Sequence, residues 1–185
     1  MYGKLTVITG GMFSGKTGEL LQYIKEKELY CQNSVLAIKP DIDKRFSENE
    51  LVSRLGTSHE AVNLSTTLPE EEVENLLAMV EKYDIVAIDE VQFFNKKIIG
   101  IVNKILKTGC EVVVAGLNLD CKGNPFGATG DFMLMADEVI IKKAYCSVCG
   151  QPAIFSQKLQ SSDTDIIDIG DNEKYTPRCR EHFCP

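Results

Sequence analysis

The chain has 185 residues, of which 44% are hydrophobic and 25% charged, with a formal net charge of −7. That length supports one well-buried core with a small appendage, and the acidic balance argues against a general nucleic-acid-binding or acidic-membrane surface. Met1-Tyr2-Gly3-Lys4 leads directly into an apolar run with no signal core, and no stretch reaches membrane-spanning length, so the expected location is the cytoplasm.

The first element is the apolar run Leu5-Thr6-Val7-Ile8-Thr9, a strand, followed by Gly10-Gly11-Met12-Phe13-Ser14-Gly15-Lys16-Thr17. This is G-x-x-x-x-G-K-T between a strand and a helix, the setting of a phosphate-binding loop. Gly10 and Gly15 let the backbone turn tightly, its N–H groups face phosphate oxygens, and the helix adds its positive N-terminal end. Lys16 then reaches the β- and γ-phosphates and the Thr17 hydroxyl holds Mg²⁺. The helix is expected over 17–29, with Leu20, Leu21 and Ile24 facing the core.

Residues 34–40 read as a buried strand closed by Pro40. Residues 41–63 are charged and read as an irregular loop, with Arg54 and His59 left without a role and His59 taken as a solvated loop residue. Pro69 suits the first turn of a helix continuing through Val73, Leu76, Leu77 and Val80. Residues 85–88 form a strand that ends in Asp89-Glu90. A helix over 96–108 stops at Gly109, residues 112–116 form another strand, and 139–141 add one more. Unbroken apolar strands alternating with helices imply a mostly parallel sheet covered on both faces.

A carboxylate at the end of an apolar strand is the usual companion of a phosphate loop, because it holds a water on Mg²⁺. Asp89 fills that role. Strand alternation places Glu90 on the other side, where it can accept a proton from whatever attacks the γ-phosphate. A water attacker makes an ATPase and a substrate hydroxyl makes a kinase; the carboxylate alone does not decide.

Near residue 143 the texture changes to paired cysteines and short β-like runs at 153–155 and 166–169, giving an α/β domain over 1–143 and a small domain over 144–185. There are seven cysteines, an odd number that favours thiols and metal ligands over disulfides. Cys146 and Cys149 form a CxxC, and Cys179 and His182 a second pair, which together match a closed structural Zn²⁺ site. Cys184 is the alternative to His182 as fourth ligand. The staple suits a segment with few apolar residues.

In this order and spacing, Gly11 to Thr17, Asp43-Lys44-Arg45-Phe46, Asp89-Glu90-Val91-Gln92-Phe93-Phe94, Lys122-Gly123-Asn124-Pro125-Phe126-Gly127, the CxxC at Cys146 and Lys174-Tyr175-Thr176-Pro177-Arg178-Cys179 resemble the zinc-containing type II thymidine kinases over essentially the whole chain. The resemblance implies a phosphate-loop α/β fold with a zinc-binding lasso domain, and phosphorylation of the thymidine 5′-hydroxyl by ATP, with Glu90 as base and Lys16 and Arg45 steadying the transferring phosphoryl. It assigns the nucleotide to Gly10 through Thr17 with Asp43, Asp89 and Gln92. It assigns the nucleoside to Met12, Leu117, Phe126, Ser156 and Tyr175, and to main-chain groups of the lasso at Ile167, Asp168, Ile169 and Gly170. It further implies a homotetramer, feedback by dTTP, and no nucleic-acid or membrane partner. Gly11 stands where proline is usual, Asn118, Cys121 and Lys122 where many relatives have Asp, Phe and Arg, and Ser156 where threonine is common. Two rival readings are a phosphate-loop ATPase with a zinc ribbon and an inactive nucleotide-binding scaffold.

Overall fold

In the computed structural model, which describes residues 2–43, 47, 49–159 and 174–184, strand composition dictates the central layer. β1 (Leu5–Gly10), β2 (Val35–Pro40) and β6 (Ile85–Ile88) are buried at every position, and β7 (Glu111–Gly116) at all but its first. Continuous apolar strands of this kind require cover on both faces. With β5 (Val62–Leu64) and β8 (Glu138–Lys142) at the edges, they form a six-stranded sheet in the order β5-β2-β6-β7-β1-β8. Every pairing in it is parallel.

Successive side chains on each strand enter opposite cores. Leu5, Val7, Leu36, Ile38, Val86, Ile88, Val112 and Val114 pack beneath α2 (Glu70–Val80), α3 (Lys97–Lys107) and α4 (Thr129–Met135), whose anchors include Leu76, Ile98, Ile105 and Phe132. Ile8, Val35, Ala37, Ile85, Ala87, Val113 and Ala115 face the other way, onto Leu20, Leu21 and Ile24 of α1 (Lys16–Cys31). The expected α/β architecture is present, with helices on both faces. All strands being parallel, their carboxyl ends share one edge, which is where ligands bind in such sheets.

Three features differ from expectation. The stretch over 41–63 is not wholly irregular: β3 (Glu50–Val52) and β4 (Ser58–Glu60) form an antiparallel hairpin, and β5 begins at Val62. These three-residue strands are too short for alternation to register in the sequence. α4 had no sequence signal, because in seven residues only Thr129 and Phe132 are buried. Pro69 caps α2 in an extended conformation instead of opening its first turn.

After β8 come paired two-stranded pieces: β9 (Ala144–Tyr145) with β10 (Pro152–Ala153), and β11 (Phe155–Lys158) with β12 (Tyr175–Arg178), both antiparallel. Phe183 stacks on Phe155, with ring centroids 4.3 Å apart. No helix among the described residues is long and apolar enough to cross a membrane.

Candidate active site

The loop from β1 to α1 is shaped by backbone conformations that side chains resist. Gly10 has φ 149° and Gly15 φ 81°, and a Cβ on Gly10 would lie 2.1 Å from the Lys142 carbonyl oxygen. Phe13 adopts φ 65° without being glycine, and the Arg54 guanidinium lies 4.1 Å over its ring. Ser14 Oγ and Lys16 Nζ both donate to the Gly11 carbonyl, at 2.8 and 2.9 Å. The lysine charge is thereby held across the loop.

Thr17 Oγ1 donates to Asp89 Oδ2 at 2.9 Å, and Asp89 Oδ1 accepts the Glu90 N–H at 2.9 Å. Asp89 is 3% exposed. Burial, reinforced by the neighbouring Glu90 charge, pushes its carboxyl up to about 7 against the Glu90 amide, the Thr17 hydroxyl and Lys16.

Glu90 does not alternate with Asp89 as on a strand. β6 ends at Ile88, and Glu90 sits at φ 49°, ψ 41°, a left-handed bend leading into the single 3-10 turn Val91–Phe93. Both carboxylates consequently line one cavity. Gln92 Nε2 donates to Glu90 Oε2 at 2.5 Å, and Gln92 Oε1 accepts the Leu117 N–H at 2.9 Å.

The cavity measures about 710 Å³ and is lined by Met12, Phe13, Gly15, Lys16, Thr17, Asp43, Asp89, Glu90, Leu117, Phe126, Ser156 and Tyr175 among others. These residues, read from the sequence as nucleotide-binding, nucleoside-binding or catalytic, thus meet in one space, whereas Gln92, which the resemblance assigns to the nucleotide, does not line it. Phe126 packs edge-on against Phe93, with centroids 5.8 Å apart. Ser156 Oγ accepts the Met12 N–H at 2.8 Å, tying β11 to the phosphate loop. Arg45, Ile167, Asp168, Ile169 and Gly170 lie outside the described residues, as does most of the expected lasso. Arg54, Phe93 and Asp120 also line the cavity without having been given a role in it. Arg54 had no signal beyond its charge; Phe93 and Asp120 stand within or beside motifs already noted. His59 is at the surface, 3.0 Å from Glu28.

Away from the cavity, one ligand atom each from Cys146, Cys149, Cys179 and His182 lies within 4.8 Å of all the others. Cys149 Sγ and Cys179 Sγ are 3.7 Å apart, and Cys179 Sγ is 3.2 Å from His182 Nδ1. Tetrahedral Zn²⁺ with bonds of about 2.3 Å to sulfur sets sulfur atoms about 3.8 Å apart, so the cluster is compatible with zinc. Although desolvation opposes it, the backbone N–H groups of Cys179, Val148 and Cys149 bring the Cys146 thiol down to about 6. The His182 contact likewise lowers Cys179. Both shifts favour the thiolate, the ligating form, while at Cys149, against the Gln151 backbone bond, burial and the neighbouring Cys179 and Cys146 sulfurs raise the thiol.

Residues 3–183, which hold the phosphate loop, the carboxylate pair and the Cys/His cluster, match the family described as thymidine kinase. The chain belongs to the thymidine kinase family. It is 40% identical over 187 aligned residues to a thymidine kinase of Thermococcus kodakarensis (strain ATCC BAA-918 / JCM 12380 / KOD1), covering 97% of this chain and 93% of that one. Membership in the thymidine kinase family makes the protein an ATP-dependent nucleoside kinase, with thymidine as the phosphoryl acceptor. The kinase reading of the Asp89-Glu90 pair is therefore preferred to the water-attack and scaffold readings.

Proposed function

We propose that Glu90 is the general base in the phosphorylation of thymidine. It takes the proton of the 5′-hydroxyl as that oxygen bonds to the γ-phosphorus of ATP, while the bond from that phosphorus to the β,γ-bridging oxygen breaks and ADP leaves. The observation that carries this reading is the left-handed bend at Glu90. It sets a buried carboxylate on the same cavity wall as Lys16, Thr17 and Asp89.

The backbone of Gly10 through Thr17 cradles the phosphates, with Asp43 on the nucleotide side, and Lys16 and Arg45 balance charge on the transferring group. The fit to Mg²⁺ rests on Asp89, a buried carboxylate joined to the Thr17 hydroxyl. A cation relieves the cost of burying that charge. Thr17 and Asp89 would hold the ion, which when bound would neutralise charge on the phosphate oxygens. Met12, Leu117, Phe126, Ser156 and Tyr175 form the nucleoside side, and main-chain groups of Ile167 through Gly170 read the base edges.

Residues 144–185 act as a zinc-stapled lid on the α/β domain over 1–143, with Cys146, Cys149, Cys179 and His182 as ligands. Zinc takes no part in the chemistry. The protein works in the cytoplasm as a homotetramer under feedback by dTTP. The test is Glu90→Gln: a base predicts ATP binding near the wild-type level with turnover lowered on the order of 10²- to 10⁴-fold. Wild-type turnover in that variant contradicts the assignment.

A further inference from the structure

Gln92 lies on neither the phosphate loop nor the nucleoside pocket surface, yet it is 3% exposed and both ends of its amide are engaged. A backbone N–H can only donate, so the Leu117 amide at 2.9 Å fixes which end of the Gln92 amide is oxygen. The NH₂ end is then forced toward Glu90, where it meets Oε2 at 2.5 Å. A donor to one carboxylate oxygen sets the rotation of the carboxylate about its last side-chain bond.

Two glycines make room for this arrangement. A Cβ on Gly116 would stand 2.7 Å from Gln92 Oε1, and a Cβ on Gly127, which has φ 57°, 2.2 Å from the Gln92 carbonyl oxygen. The end of β7 and the turn after Phe126 thus both close on Gln92. Leu117 and Phe126 also line the cavity, so the chain Leu117 N–H, Gln92 amide, Glu90 carboxylate links the nucleoside wall to the base.

We propose that Gln92 is a positioning residue for the phosphoryl-transfer step: its amide, oriented by the Leu117 backbone, aims the Glu90 carboxylate at the acceptor hydroxyl. This rests on the reading of Glu90 as base. Gln92 itself does not line the cavity.

The test is steady-state kinetics of Gln92→Met, Glu90→Gln and the double variant, with ATP, Mg²⁺ and thymidine. Displacement of a reacting group by about 1 Å costs on the order of 10²-fold, so Gln92→Met should lose roughly that factor in kcat while both KM values stay within about threefold. In the Glu90→Gln background the same change should cost nothing further, because there is no base left to aim. Gln92→Glu is the second variant. It keeps an acceptor for the Leu117 N–H but sets a carboxylate against Glu90, so it should lose turnover as well, whereas a residue that merely braces Leu117 would tolerate it.

Wild-type kcat in Gln92→Met, or an equal loss in both backgrounds, overturns the positioning role and leaves the base assignment standing. Wild-type turnover in Glu90→Gln overturns the base assignment and this role with it.

Discussion

Thr17 and Asp89 are joined by a 2.9 Å hydrogen bond that links the first turn of α1 to the bend after β6. The bond crosses 72 positions of sequence and ties the phosphate loop to the Asp89-Glu90 carboxylate pair. Thr17→Val leaves Asp89 buried without its hydroxyl donor. A hydrogen bond to a charged group is worth about 1.5–3 kcal/mol, so the Mg²⁺ concentration for half-maximal activity should rise roughly ten- to a hundredfold. A Mg²⁺ titration at saturating ATP checks it.

Ser156 is the corresponding tie on the nucleoside side. Its hydroxyl accepts the Met12 N–H, and it is 3% exposed. Ser156→Ala leaves that amide without its acceptor at a cost of about 1–3 kcal/mol, which we expect as a thymidine KM raised about five- to a hundredfold with the ATP KM little changed. Ser156→Thr retains the hydroxyl and should stay close to wild type.

The Cys/His cluster reaches the same tie through the strands. Cys179 follows β12 directly, and β12 pairs with β11, which carries Ser156. Cys179→Ala should therefore lose zinc, measured by atomic emission, and lower thymidine turnover on the order of tenfold or more. Nucleotide binding at the loop, read by equilibrium dialysis, should persist.

Asp84 contributes to stability on the acid side. The Ser34 backbone N–H and hydroxyl each donate to its Oδ2 at 2.8 Å, and these bonds hold its carboxyl below the ordinary value of 3.8. A depressed carboxylate contributes stability that is complete above its unfolded pKa and is lost as pH falls through the folded one. Asp84→Asn should thus be less stable than wild type at neutral pH, and the difference should shrink below about pH 4. Urea unfolding across pH measures this.

What could be read from the sequence was what is written in consecutive residues. The phosphate loop occupies eight adjoining positions and the cysteine pairs carry their spacing with them, so both were legible. Long buried strands and α1 followed from apolar runs and periodicity. The bend at Glu90 was not legible, because it depends on where β6 stops and how the 3-10 turn packs. Nor was the contact of Gln92 with Leu117, 25 positions away, since it exists only after β6 and β7 pair. Arg54 over Phe13 is likewise a product of the β3–β4 hairpin, whose strands are too short to announce themselves.

The central claim is that a sugar hydroxyl, and not water, attacks the γ-phosphate at this site. ADP release from ATP and Mg²⁺, followed with thymidine, deoxycytidine, deoxyguanosine or no nucleoside, tests it most directly. Release that depends on thymidine and matches dTMP formed mole for mole is the predicted result. Equal ADP release with and without nucleoside would contradict the account and make water the attacker.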